Sequence, residues 1–366
     1  MIDHKVFNLF NMFFISSVRL ELDERWCYIY FNNILRNCFL PLLLCSFVMF
    51  GGIMQLSDEF QYLIQRVADI SDVLRYASFT LVDAVTSLIF LFNRKQCFRL
   101  ADELLHFDRS YSALTSSWSL EADAKLTRNQ LVFASVSYLI VLLINIIMFS
   151  VLAYDITTSI LLTISVFIGF HFILQQLYVV YFVEHLTIRY HLIRDIVQKQ
   201  VSQHLLLATL KLYDRLGAMT QLISDAFGLF CLLNSLLVFL NSAIAIYGSI
   251  VLIGRGSSFS TILMDSGNAI PTIILFYGKT YAFDRLVIEE QEFKNAVKSL
   301  QYTATEEQSE DYLNFLDLIN LKLMAESPKI TACGLFTINL QVFYNVFAAI
   351  VTYIMILFQF RDFEKS

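Results

Sequence analysis

The sequence predicts an all-α membrane protein: seven transmembrane helices, the N-terminus cytoplasmic, the C-terminus extracellular, and a cytoplasmic helical anchor bundle. Three observations predict it. Hydrophobic residues make up 57% of the 366 residues and charged ones 16%, with a mean hydropathy of +0.61. That composition is too apolar for a soluble surface of this size. Seven segments approach the ~20 apolar residues that cross a hydrocarbon core. Finally, Lys and Arg fall overwhelmingly on alternate loops, as membrane insertion orients them.

The elements follow in order. Residues 6–18 are apolar but short, and Asn8, Asn11, Ser16 and Ser17 interrupt them; they read as an interfacial helix within a cytoplasmic N-terminal segment, 1–33. Charge-free windows at 37–57, 129–154, 156–183, 226–254 and 330–360 give five spans. Windows at 76–93 and 256–278 give two more, each holding one aspartate, Asp83 and Asp265. With the N-terminus inside, 19 Lys and Arg lie on the cytoplasmic side, four outside (Arg66, Arg255, Arg361 and Lys365), and Arg36, Arg75 and Lys279 at boundaries, making up the 26.

Spans four, five and six continue inward as amphipathic helices over 184–203, 204–225 and 282–300, and a fourth such helix covers 309–326, stopped by Pro328. These pack as one anchor bundle. The expected divisions are spans one to six with a ligand pocket over 34–280, anchor helices over 281–330, a pore-lining span over 331–360, and an extracellular tail over 361–366.

The last span carries the chain's most telling pattern. Gln341, Asn345, Ala348, Thr352 and Gln359 stay within about 40° of one direction at 100° per residue, while the rest of the helix is Phe, Ile, Val, Leu and Met. Such a wall faces water or polar neighbours and points to ion transport.

Other function classes lack their signatures. The net charge of −6 gives no footprint for nucleic acid. No P-loop, dinucleotide-binding, H-E-x-x-H or C-x-x-C motif occurs, so no cofactor, metal or enzyme chemistry is expected. The six cysteines are scattered and read as apolar core residues or reduced thiols. A G-protein-coupled receptor has its seven spans the other way up, and Tyr213-Asp214-Arg215 stands before span five rather than after span three. A secondary transporter would show two related halves, and none is visible.

An ionisable residue inside a membrane is a functional candidate. Asp83 lies deep in span two among Thr80, Thr86 and Ser87; His171 lies in span four above Gln175 and Gln176; Asp265 lies near the outer end of span six. With Tyr76, Asn145, Tyr154, Ser242, Tyr247 and Asn268 they form the candidate lining of an outward-facing ligand pocket.

The C-terminal region then becomes specific. Ala332, Gly334 and Phe336 form an Ala-x-Gly-x-Phe, and Thr352-Tyr353, five hydrophobic residues and Gln359-Phe360 follow. This closely resembles the C-terminal signature of insect gustatory receptors, relatives of the insect odorant receptors. The resemblance implies a ligand-gated cation channel in the plasma membrane of sensory dendrites, a homo- or heterotetramer with other gustatory receptors. It implies a seventh helix split near Pro328, a pore lined by the last span, a gate at Gln359 and Phe360, and structural roles for Tyr353, Gly334 and Phe336. The implied partners are a small-molecule tastant, permeating cations and the lipid bilayer. Sugar-sensing members often carry Glu after Thr-Tyr; here Ile354 stands there, which favours a non-sugar ligand.

Overall fold

The computed structural model describes Phe10 and residues 18–23, 26–31, 67–115, 125–152, 156–199, 202–254, 269–303, 310–325 and 329–365. Among these, eight helices dominate: α1 (Val67–Phe92), α2 (Arg94–Thr115), α3 (Lys125–Leu152), α4 (Ile156–Gln198), α5 (Gln203–Gly254), α6 (Ala269–Thr303), α7 (Glu310–Ala325) and α8 (Leu340–Lys365). Two small antiparallel hairpins join them: β1 (Val18–Asp23) with β2 (Trp26–Phe31), and β3 (Thr331–Ala332) with β4 (Phe336–Thr337).

The amphipathic extensions are continuous with their spans. Helix α4 has 43 residues and α5 has 52. At 1.5 Å per residue they run roughly 65 and 78 Å, about twice a hydrocarbon core of ~30 Å. Their apolar halves therefore fill a bilayer while their charged halves project beyond it. At that charged end α2, α4, α5, α6 and α7 assemble around one buried core that includes Leu104, Phe107, Tyr190, Ile193, Leu216, Phe293, Leu316 and Leu323.

Polar contacts fix the order of packing. Arg189 of α4, wholly buried, bonds Asp108 of α2 at 2.8 Å and lies over the Phe107 ring. Arg194 of α4 bonds Glu289 of α6 at 2.8 Å, and the Tyr213 hydroxyl of α5 donates to Glu290 of α6 at 3.1 Å. Helix α3 begins against α4, where the Glu184 carboxylate accepts the backbone N–H of Leu126 (2.8 Å) and of Thr127 (2.9 Å). A carboxylate at a helix N-terminus satisfies donors that have no partner inside the helix.

Two expectations are corrected, and two elements are added. Residues 331–337 form the β3–β4 hairpin, so the last helix starts at Leu340 rather than at the start of the charge-free window. Charge content marks what a bilayer accepts, but it carries no signal for a turn. That helix also runs on to Lys365, through most of the segment expected to be a tail. The loop between spans two and three holds α2, whose buried Cys97, Leu100, Ala101, Leu104, Leu105 and Tyr111 recur at helical spacing. The N-terminal segment contains β1–β2, with Val18 opposite Phe31 and Asp23 opposite Trp26. Of the expected interfacial helix only Phe10 and Val18 are described; Phe10 is buried with its ring edge against Tyr178 and Tyr181. The first span lies outside the described residues.

Candidate functional site: the last helix, its hinge and a buried polar network

The hinge is built from the sequence upward. Ala332-Cys333-Gly334-Leu335 closes a turn with Leu335 N–H donating to the Ala332 carbonyl at 3.0 Å. Cys333 and Gly334 have φ of 53° and 75°. Positive φ at both central residues is what this tight hairpin turn requires, and glycine adopts it without Cβ strain. Ala332 is fully buried and Phe336 packs on the main core, which gives the Ala-x-Gly-x-Phe pattern a physical reason at each position. The hairpin is moored to α5: Thr331 N–H donates to the Ser224 hydroxyl at 3.0 Å. A Cβ at Gly228 would stand 2.9 Å from the Thr331 carbonyl oxygen, so only glycine allows the hairpin backbone this close.

From the hinge, α8 leans on α5 through a small apolar cluster. Ile350 and Ile354 are buried against Ala243, with Phe239, Ile246 and Ile250 around them. The opposite side carries the polar stripe. Gln341, Asn345, Ala348, Thr352 and Gln359 are all exposed. The Gln341 amide donates to the Asn345 side chain at 3.0 Å, and the Thr352 hydroxyl to the Ala348 carbonyl at 2.9 Å. Tyr353 stands beside the stripe, its ring 6.2 Å from Phe239 of α5 in an edge-to-face arrangement. Phe360 lies on the same helix, its side chain outside the described residues.

The second feature is a polar network inside the helical bundle. Asp83 of α1, 1% exposed, meets His171 of α4, whose Nδ1 lies 2.9 and 3.2 Å from the two carboxylate oxygens. The Gln175 amide donates to Asp83 at 3.3 Å and to the Ser87 hydroxyl at 3.1 Å. A carboxylate taken out of water needs donors, and these two helices supply them. Among the described residues, His171 Nε2 and the Gln176 amide are buried without a hydrogen-bond partner.

The other candidates are placed unevenly. Tyr76 and Thr80 lie on α1 and Asn145 on α3, with side chains outside the described residues. Tyr247 is part-buried near the C-terminal end of α5, and Ser242 is fully buried. Tyr154, Asp265 and Asn268 lie outside the described residues. One group was missed by sequence reasoning: Lys279, read as a boundary charge, is 1% exposed, its ammonium on the Asn234 side chain of α5 and 4.8 Å from the Phe276 ring centroid. Asn234 within an apolar run was the available signal.

Among the described residues two helices are long and apolar enough to cross a bilayer. A family model described as 7tm chemosensory receptor matches residues 5–364, and the chain belongs to that family. Its relatives are receptors rather than enzymes. Among solved structures, the chain is similar to the insect olfactory receptor OR5 from Machilis hrabei, with 12% identity, a TM-score of 0.64, and coverage of 97% of this chain and 98% of that one. The same receptor in complex with eugenol gives 14% identity, a TM-score of 0.65 and 98% coverage of both. No curated protein matches.

Proposed function

We propose that the chain is a gustatory receptor, a contact chemosensory protein that acts as a ligand-gated, non-selective cation channel and opens on a small non-sugar tastant. The observation that carries this reading is the division of α8. Its apolar Ile350 and Ile354 are buried against its own bundle, while Gln341, Asn345, Thr352 and Gln359 are turned away from it. A row of amides and hydroxyls left outward on a membrane helix needs water or other copies of itself beside it. Four copies about an axis bring these stripes together as a pore wall, with Gln359 and Phe360 at its outer constriction.

Further features support the same reading. Helix α7 exposes Leu318, Leu321 and Met324, an apolar face at the charged end that assembly as a homo- or heterotetramer covers. The structurally similar olfactory receptor holds eugenol, a small organic molecule, in keeping with a small ligand here. Ile354 faces the apolar α5 cluster, where the Glu of sugar-sensing members would be buried without a counter-charge. The Lys and Arg distribution supports a cytoplasmic position for the charged end, and a receptor of this kind would act in the plasma membrane of sensory dendrites.

Current recording tests the proposal. Cells expressing the chain, alone and with related receptors, are challenged with bitter, phenolic and sugar panels. A tastant-evoked current carried by Na⁺ and K⁺, with no sugar response, is expected. Absence of any evoked current under both conditions, despite surface expression, overturns it. Tags at Lys5 and Lys365 test orientation, since only the second should be reached on intact cells.

A further inference from the structure

A cavity lies at the hinge, away from the Asp83 network and the polar stripe. It encloses about 200 Å³ between α4, α5, α6 and the segment that leads into α8. Its apolar walls include Phe283, Ile330 and Ile338. Two polar groups in it have unused capacity. Among the described residues the Tyr190 hydroxyl, on a side chain 1% exposed, makes no well-aligned hydrogen bond, although Thr220 lies close enough to act on it. Thr220, the polar neighbour it senses, spends its own proton on the Leu216 carbonyl. Asp284 makes no ion pair or hydrogen bond among the described residues, whereas the other lining carboxylate, Glu290, is already held by Lys294 at 2.8 Å and Tyr213 at 3.1 Å.

We infer that this cavity is a ligand site for a small organic cation that also carries a hydroxyl. The charge preference follows from the lining. Asp284 is an uncompensated carboxylate, and a bound ammonium forms a charge-assisted bond with it. Lys329, exposed, is the lining cation, and water screens its pull on an anionic ligand more than it screens the pull of part-buried Asp284 on a cation. The hydroxyl preference follows from Tyr190. Burial, with Glu290 second, pushes its pKa up, so it remains a neutral hydroxyl, able to exchange a hydrogen bond with a ligand hydroxyl. The size limit follows from the volume, which is below the roughly 300–1,000 Å³ of drug-sized pockets. The position gives the consequence: Ile330, Thr337, Ile338 and Asn339 belong to the hinge, so an occupant presses on the segment that sets α8.

Thermal unfolding of the purified full chain in lipid nanodiscs tests the site without depending on channel activity, so its outcome is separate from that of the function proposed above. Tyramine should raise the midpoint saturably. Tyrosol, its neutral analogue, should need about tenfold more, and phenethylamine, which lacks the hydroxyl, about threefold more. Asp284→Asn should weaken tyramine about tenfold with an unchanged unliganded midpoint, and Tyr190→Phe should erase the difference between tyramine and phenethylamine. Val287→Trp, on a half-exposed lining position, should fill the cavity and abolish the shift if Asp284→Asn does not fold. Equal effects of tyramine and tyrosol, or no saturable shift at all, overturn the assignment. So does tyramine affinity retained in Asp284→Asn or in Val287→Trp.

Discussion

The two helices either side of the hinge are fastened in different ways. Helix α7 buries Leu316, Ile319 and Leu323 and is bolted by Lys322 to Asp214 of α5 at 2.7 Å and by Asn320 to Gln301 of α6 at 3.2 Å. Helix α8 rests on α5 through Ile350 and Ile354 and carries no charged residue before Arg361. An ion pair and an amide bond have one good geometry, whereas aliphatic contacts keep most of their energy through small displacements. The difference leads us to expect α7 to hold its place while α8, which also rests on α6 through Phe343 against Phe276 and Tyr277, shifts about the β3–β4 hairpin.

The largest effect is expected where the fixed half is broken. Arg189→Met removes the cation that holds Asp108 and leaves a carboxylate without its buried partner, which costs about 3–5 kcal/mol. Receptor at the cell surface, counted by labelling, should fall to near background. Wild-type surface levels would mean that α2 is not held through this pair. The joint comes next. Gly228→Ala sets a Cβ 2.9 Å from the Thr331 carbonyl, and backbone atoms on both sides cannot rotate away. A loss of about 1–3 kcal/mol is expected, read as a lower midpoint of thermal unfolding, with a disturbed ligand response in the molecules that remain. An unchanged midpoint would show that the hairpin is not pressed on α5.

The comparison also explains what was legible beforehand. The seven spans and the anchor extensions follow from hydropathy and the 3.6-residue period, because bilayer thickness and helix geometry leave few alternatives. Helix α2 was equally legible in its Leu100, Leu104, Tyr111 spacing, whereas its four Lys and Arg mark topology and carry no signal for a helix. The β3–β4 hairpin was not legible: its residues are as apolar as the helix that follows, and only Gly334 marks the turn. Asp83 and His171 were each visible as polar residues in apolar runs. Their pairing was not, since it depends on how α1 and α4 are rotated against each other.

The mobile half should respond to milder changes. Gln359→Ala removes an exposed amide from the end of the polar stripe, and leak current without ligand should rise roughly fivefold, equivalent to about 1 kcal/mol in the closed-to-open balance. Leak and evoked current both at wild-type levels would place the gate elsewhere. Asp83→Asn, nearly isosteric, keeps an acceptor for the Gln175 amide but removes the charge facing His171. A shifted dose response with unaltered unitary conductance is expected if the network reaches the ligand; reduced surface labelling with an unshifted dose response would make it a purely structural bond between α1 and α4.

The last effect, spread over a pH range and needing no mutation, is a dependence of stability on pH. His185 of α4 is fully buried at the charged end, neither ring nitrogen has a partner among the described residues, and the Tyr181 ring lies edge-on at 4.4 Å. Burial first, and the Arg189 charge second, hold its pKa well below the ordinary 6.5. The unfolded chain therefore binds a proton at His185 in a range where the folded chain does not. Stability is fully present above pH 6.5 and falls as pH drops towards the folded value, by at most about tenfold in the folding constant per pH unit. Thermal unfolding of the purified receptor between neutral pH and about pH 5.5 should show this decline, since an ordinary histidine titrates in that interval. His185→Phe keeps an aromatic ring against Tyr181 and has no proton to gain, so the variant's profile should be flatter than wild type by that single-proton slope. Parallel profiles would mean that His185 is protonated in the folded receptor or reached by water, and that the fixed end of the molecule is looser than its ion pairs imply.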